Sequence, residues 1–292
     1  VMRISLQNFQ RVIGVLCLVI GASSAGAADR IVETVTGLEE SIGGRIGVAV
    51  YDLQTGQNWE YRSDEKFPMS STFKPFACAA LLTQNERKGE TLERMVSVSK
   101  DDLVSYSPVI EKYADGGEVS LRKSCEATVS ISDNTAGNLV LKEIGGPEGF
   151  TKFMRSIGDN TTRLDRWETE LNEAQPDDLR DTTSPKAIAT SLQKLLLEDA
   201  LSPEARIEIT NWMLNDQVAD DLFRSRLPKG WKIADKTGAG GFGSRGIIAV
   251  IWPPSRKAVV ASVYMTGNDA DFKTRNAAIA EIGAAIFERL EE

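Results

Sequence analysis

The chain has 292 residues, a formal net charge of −8 and no histidine. Without histidine, neither a Ser-His-Asp or Cys-His nucleophile system nor a histidine-ligated zinc site can be built. An acidic chain with no basic stripe argues against nucleic acid as the main partner. Acid–base chemistry near neutral pH must then come from Lys, Glu, Asp, Tyr or Ser groups whose pKa the surroundings have moved. The length allows one large domain or two modest ones, and a hydrophobic content of 41% is ordinary for a globular enzyme.

In chain order, the first 27 residues read as an export signal. Arg3 and Arg11 form a positive start, and Val12 to Ala22 is an apolar run too short to span a bilayer. Ala25-Gly26-Ala27 fits a small-residue cleavage site, which predicts a mature start at Ala28. Export leaves Cys78 and Cys125, which read either as one disulfide or as two buried thiols. Ile31 to Ile42 has helical apolar spacing and stops at Gly43-Gly44. Arg45 to Asp52 and Asn58 to Arg62 read as two strands around a turn at Gln54-Thr55-Gly56.

From Ser71 onward the pattern turns helical. Helices are predicted over Phe73 to Lys88, Leu121 to Ile131, Ala136 to Ile144, Pro147 to Ile157, Pro185 to Leu197 and Pro203 to Asn215. Strands resume at Trp231 to Lys236, Gly246 to Trp252 and Ala258 to Thr266, and Phe272 to Leu290 is a final amphipathic helix. With strands at both ends and helices between, the expected fold class is α+β. A mostly antiparallel sheet of about five strands is flanked by the terminal helices and carries an inserted all-helical subdomain. The expected division is a signal peptide over 1–27 and a single catalytic domain over 28–292. Its α/β part covers about 28–66 and 216–292, and its all-α part about 67–215. A cleft between sheet and helical block is the expected ligand site.

A lysine in a desolvated site can take the proton of a serine placed on the same helical face. Ser-x-x-Lys occurs at Ser63, Ser71, Ser97, Ser120 and Ser191, so the pattern alone decides nothing. Ser71 stands apart because an apolar helix begins directly after it and Pro75 pins that start. Its hydroxyl then sits where free N–H groups favour negative charge, although a plain N-cap serine would occupy the same place. Ser132-Asp133-Asn134 lies between helical segments, and Lys236-Thr237-Gly238 ends a strand. Ser-x-x-Lys, Ser-Asp-Asn and Lys-Thr-Gly together mark class A β-lactamases and penicillin-binding proteins.

On these motifs the sequence resembles the class A serine β-lactamases through nearly the whole mature chain. Arg163 to Asn172 (RLDRWETELN) looks like the family's Ω-loop, closing near Asp181, and Gly243 to Ile247 matches the strand after the third motif. Cys78 and Cys125 stand where many members carry a disulfide. The resemblance implies that Ser71 is the nucleophile and that Lys74, or Glu168 through a water, takes its proton. It implies that Ser132 passes a proton to the leaving nitrogen and that Glu168 and Asn172 share the water that hydrolyses the acyl-enzyme. The oxyanion would be held by the backbone N–H groups of Ser71 and Ala239. Lys236, Thr237 and Arg245 would hold the substrate carboxylate, Asn134 the acylamide side chain, and Tyr106 would line the cleft entrance. Arg166 and Asp181 would clamp the loop as an ion pair.

Some positions depart from the commonest family pattern. Thr169 stands where several members have proline, and Ser70 and Gly240 stand where the disulfide-bearing carbapenemases have cysteine, so efficient carbapenem hydrolysis is not expected. Leu103 to Lys112 and Gly240-Gly241-Phe242-Gly243 look like the carbenicillin-hydrolysing subgroup, many of whose members have arginine at the place of Lys236. The implied protein is a periplasmic, monomeric hydrolase of small β-lactams, conferring resistance. It would need no metal or cofactor, bind no nucleic acid, and in mature form have no membrane anchor. Two other readings share the first three motifs: a D-alanyl-D-alanine peptidase, and a penicillin-binding sensor that stays acylated. Glu168 with Asn172 argues against both.

Overall fold

The computed structural model describes residues 25–292, with side chains from residue 30 onward. The export-signal reading of 1–27 therefore lies outside the described residues except at its last three positions. Among the described residues no helix is long and apolar enough to cross a membrane.

The described residues begin with α1 (Ala25–Ile42), followed by β1 (Arg45–Asp52) and β2 (Asn58–Tyr61). Near the other end lie β7 (Lys232–Ala239), β8 (Arg245–Trp252), β9 (Val259–Thr266) and α8 (Phe272–Glu291). These five strands form one sheet in the order β2-β1-β9-β8-β7, with every neighbouring pair antiparallel. Strand side chains alternate between faces, and here both faces are covered. Ile46, Val48, Val50, Ile247, Val259 and Val263 pack with Ile31 and Val35 of α1 and Ile279, Ile282 and Ile286 of α8. Ala49, Tyr51, Ile248, Val250, Val260 and Tyr264 face the helical block. Double coverage is why β8 and β9 read as near-continuous apolar runs instead of alternating with polar residues.

The middle of the chain holds α2 (Lys74–Lys88), α3 (Leu121–Glu126), α4 (Asn134–Ile144), α5 (Gly146–Ser156), α6 (Pro185–Leu197) and α7 (Pro203–Leu214). Helix α2 is buried from Lys74 through Leu82, the behaviour expected of a helix surrounded on all sides. It ends at Gly89, whose φ of 67° supplies the left-handed cap. Cys78 on α2 and Cys125 on α3 are joined by a disulfide with the Cα atoms 5.7 Å apart. Helices α6 and α7 each start with proline in the first turn behind a serine cap, Ser184 and Ser202.

Three features differ from the sequence expectation. The predicted helix over Leu121 to Ile131 is divided: α3 stops at Glu126 and a π-helical turn, Ala127–Ile131, follows. The N–H groups of Ser132 and Asp133 both reach back to Ala127 O, and this wide turn leaves Ser132 at φ 66°. Second, Lys236-Thr237-Gly238 lies inside β7, which runs on to Ala239. Third, two small antiparallel pairs are added. One is β3 (Phe67–Pro68) with β6 (Thr182–Thr183), and the other β4 (Met95–Ser99) with β5 (Asp115–Ser120). The first ties the far end of the Ω-loop to the segment just ahead of Ser71.

Candidate active site

Ser71 sits in a 3-10 turn, Ser70–Phe73, that runs directly into α2, and Lys74 N–H donates to Ser71 O. Both Ser71 and Lys74 are buried. The ammonium of Lys74 donates to Ser132 O at 2.8 Å and Asn134 Oδ1 at 2.6 Å, with Ser132 Oγ at 3.4 Å. It also forms an ion pair with Glu168 Oε1 at 3.1 Å. Burial is the main influence on Lys74 and pushes its pKa below the ordinary lysine value, while the Glu168 carboxylate opposes that shift. Four of the sequence-derived residues, Lys74, Ser132, Asn134 and Glu168, thus meet at one buried ammonium.

The Ser-Asp-Asn motif is held in shape by its middle residue. Asp133 caps α4 by accepting from Ala136 N at 2.8 Å, and its other oxygen accepts from Val109 N at 2.9 Å and Ile110 N at 3.0 Å. Asn134 Nδ2 donates to Ser105 O at 2.9 Å, and Asn134 N to Tyr106 O at 3.0 Å. The Tyr106 ring itself is exposed, with φ at 60°. Gly137 leaves room for this arrangement, since a Cβ there would stand 3.4 Å from Lys74 Cε and 3.1 Å from Thr128 Oγ1.

Glu168 comes from the Ω-loop, and its peptide bond to Thr169 is cis. Asn172 ends a short 3-10 turn, Glu170–Asn172, and its Nδ2 donates directly to Glu168 Oε2 at 2.6 Å. This contact brings the two side chains that the resemblance assigns to the deacylating water side by side. Asn172 Oδ1 is buried and has no hydrogen-bond partner among the described residues. The loop is closed by Arg166 and Asp181. Arg166 Nε donates to Asp181 Oδ2 at 2.6 Å, and Asp181 Oδ1 accepts from the Asp165 and Arg166 amides at 2.7 and 3.0 Å.

The third wall is β7. Gly238 is needed there for close approach. A Cβ on it would lie 2.9 Å from Met69 O and 3.1 Å from Ser71 N, so only glycine lets the strand lie against the Ser71 turn. Lys236 and Thr237 are buried beside it, and burial pushes Lys236 down to about 8, with Asp216 opposing. Arg245 starts β8 opposite Ala239, and donates to Gly238 O at 3.0 Å and to Asn276 Oδ1 at 2.9 Å. Gly241 N donates to Asn172 O at 2.8 Å, which links the β7–β8 turn to the Ω-loop.

Sequence reasoning missed three supporting residues. Asn138, one helical turn beyond Asn134, grips the Glu168 backbone at both ends: Oδ1 accepts from Glu168 N and Nδ2 donates to Glu168 O, each at 2.9 Å. The i, i+4 spacing from Asn134 was the available signal. Asp216, just after α7, is buried near Lys236 and Arg245, and burial raises its pKa. Asn276 orients Arg245. The last two carry no local motif. A buried serine, a lysine of lowered pKa in contact with a carboxylate, and a cationic wall opposite can attack a carbonyl whose substrate carries an anionic group.

Comparison with known proteins agrees with that chemistry. Residues 29–290 match the family described as "Beta-lactamase enzyme family". The chain is 51% identical to Beta-lactamase AER-1 of Aeromonas hydrophila over 257 residues, 88% of this chain and 84% of that protein. It is 47% identical to Beta-lactamase CARB-3 of Pseudomonas aeruginosa over 266 residues, 91% of this chain and 92% of that one. Among solved structures, the chromosome-encoded β-lactamase of Vibrio parahaemolyticus superposes with a TM-score of 0.87 at 46% identity, covering 90% of this chain and 99% of that one. An ancestral class A β-lactamase gives 0.86 at 49% identity, covering 88% and 99%.

Proposed function

The chain belongs to the β-lactamase enzyme family as a class A serine β-lactamase, and from that membership we propose how its residues open and release a β-lactam. The enzyme hydrolyses the β-lactam amide bond of penicillins and some cephalosporins through an acyl-serine intermediate, which confers antibiotic resistance. The observation that carries the residue assignment is the Lys74 ammonium, bonded to Ser132 and Asn134 and ion-paired with Glu168.

Ser71 Oγ attacks the lactam carbonyl and its proton passes to the Lys74–Glu168 pair. The backbone N–H groups of Ser71 and Ala239 hold the oxyanion, each donor contributing about 3–4 kcal/mol in comparable enzymes. As the C–N bond breaks, Ser132 delivers a proton to the nitrogen and is reprotonated through Lys74, whose Nζ contacts both its oxygens. Lys236, Thr237 and Arg245 bind the substrate carboxylate, Asn134 the acylamide group, and Tyr106 borders the entrance. A water then attacks the ester, with Glu168 as base and the free Asn172 Oδ1 as a second acceptor. Asn138 holds Glu168 in place through its backbone. Arg166 and Asp181 keep the loop closed.

We further propose that residues 1–27 are removed on export and that residues 28–292 act as one periplasmic catalytic domain and as a monomer. Within it, the all-α part over about 67–215 supplies Ser71, Lys74, Ser132 and Glu168, and the α/β part supplies Lys236 and Arg245. The 47% identity with Beta-lactamase CARB-3 supports a place beside the carbenicillin-hydrolysing subgroup. Steady-state hydrolysis of benzylpenicillin tests the mechanism. Turnover that disappears in Ser71→Ala is expected. A chain that binds one penicillin and stays acylated would be a sensor instead.

A further inference from the structure

Arg245 is 5% exposed, yet among the described residues only two of its atoms have partners: Nε donates to Asn276 Oδ1 and Nη1 to Gly238 O. Both bonds act in the plane of the guanidinium and fix its edge. Phe272 packs against the group, with Arg245 Cζ over its ring, 4.8 Å from the centroid. Arg275 approaches the same ring, with Cζ at 5.7 Å. Phe272 opens α8, where Thr274 N donates to the capping Asp271 Oδ1 at 2.7 Å and fixes the first turn. Phe272, Arg275 and Asn276 are spaced i, i+3 and i+4, so one helix face presents a ring, a cation and an amide toward Arg245. Phe272 is 51% exposed, so much of this apolar residue stays in water and outside the sheet–helix core.

We propose that Phe272 is a specificity-determining positioning residue, its ring forming the aromatic wall that holds the Arg245 guanidinium in register for the substrate's ring carboxylate. The proposal rests on Arg245 being a carboxylate ligand. The negative face of the ring attracts a cation and offsets the repulsion that a second arginine brings. Burial holds Arg245 down at about 10, with Asp216 opposing and Arg275 adding to the effect, so the group stays charged at neutral pH. An aliphatic side chain of similar size would fill the space without attracting the charge.

The test compares Phe272→Leu, Phe272→Tyr and Arg245→Ser on benzylpenicillin and on its methyl ester, which lacks the anionic group. Phe272→Leu is expected to raise KM for benzylpenicillin about three- to tenfold, with kcat kept within about twofold. Phe272→Tyr, which keeps the ring, returns KM to that of the unmodified enzyme, and neither variant changes kcat/KM for the ester. If Arg245→Ser raises KM while Phe272→Leu does not, the proposal falls and the Arg245 assignment stands. It also falls if the ester responds as strongly as the acid, or if tyrosine fails to rescue, since either result makes the ring a mere packing element. An Arg245→Ser enzyme with unchanged KM would remove the assignment and the proposal together.

Discussion

Lys74 Nζ lies 3.1 Å from Glu168 Oε1, and neither side chain has any solvent exposure. Taking two charges out of water is costly, and a buried pair is repaid only when its remaining donors and acceptors are also satisfied. Ser132 O and Asn134 Oδ1 do this for the ammonium, and Asn172 Nδ2 for the carboxylate. The contact therefore connects the helix that carries Ser71 to the Ω-loop by a path along which a proton can move.

We predict that Glu168→Ala separates the two halves of the reaction. Acylation keeps Lys74 as a base, and with the carboxylate gone burial pushes Lys74 further toward its neutral form, with Asp133 still opposing. Deacylation has no second evident base. Because Asn138 grips the backbone of residue 168, the loop does not need the carboxylate to stay in place. Intact-mass spectrometry after addition of benzylpenicillin should show a persistent single adduct on Glu168→Ala and little on the unmodified enzyme once substrate is consumed. Normal turnover by the variant would take Glu168 out of the mechanism.

Lys236 gives a pH prediction. Burial disfavours its charged form, so its folded pKa of about 8 lies below the ordinary 10.5. The cationic head is present below about pH 8 and lost above it. For a carboxylate-bearing penicillin, kcat/KM should fall by about tenfold per pH unit beyond that point, the slope of one required proton. Lys236→Arg should move this limb upward by roughly a unit or more, because a guanidinium holds its proton more tightly. A limb that stays in place would belong to another group. The same shift means that the unfolded chain binds more protons than the fold between about 8 and 10.5, so stability should rise with pH across that window.

The disulfide between Cys78 and Cys125 joins residues 47 apart in sequence. The chain-entropy model assigns such a closure roughly 4 kcal/mol, an upper figure because native strain subtracts from it. Thiol titration of the denatured, unreduced protein lacking residues 1–27 should find no free cysteine, and two after reduction. Two thiols before reduction would contradict the bridge.

Much of this was readable where local chemistry decides structure. Helices α6 and α7 were fixed at their starts by Ser-Pro pairs, and β8 and β9 by apolar runs that only a doubly covered strand carries. The π turn was not readable. Ala127 to Ile131 has helical spacing, and the change of hydrogen-bond pattern is tied to the Asp133 carboxylate through Val109 and Ile110, partners 24 and 23 residues away. The β3–β6 pair is two residues long and leaves no periodicity to detect. In the site, the motifs picked out Lys74, Ser132, Asn134 and Glu168, which the fold brings into contact, and left out Asn138, Asp216 and Asn276. An asparagine on a helix, or a carboxylate just after one, looks the same in sequence whether it faces water or a buried partner.

Gly238 carries the last prediction. β7 and the Ser71 turn approach so closely that a Cβ at residue 238 would stand 2.9 Å from Met69 O, 3.1 Å from Ser70 Cβ and 3.1 Å from Ser71 N. The nearest of these is backbone, which cannot swing aside as a flexible side chain would, so Gly238→Ala must push the strand and the turn apart. The strand is held by its full pairing with β8, from Lys232 with Trp252 to Ala239 with Arg245, so the displacement should stay local and the fold survive. On the proposed mechanism, the Ser71 and Ala239 amides would then no longer converge on one oxygen. Loss of one oxyanion donor costs about 10²- to 10³-fold in kcat. Gly238→Ala should therefore lose acylation rate by about that factor while its thermal unfolding remains cooperative. Rapid-quench measurement of acyl-enzyme formation would read the change directly. An alanine variant that acylates at the normal rate would show that the strand can yield, and that the oxyanion site does not depend on this contact.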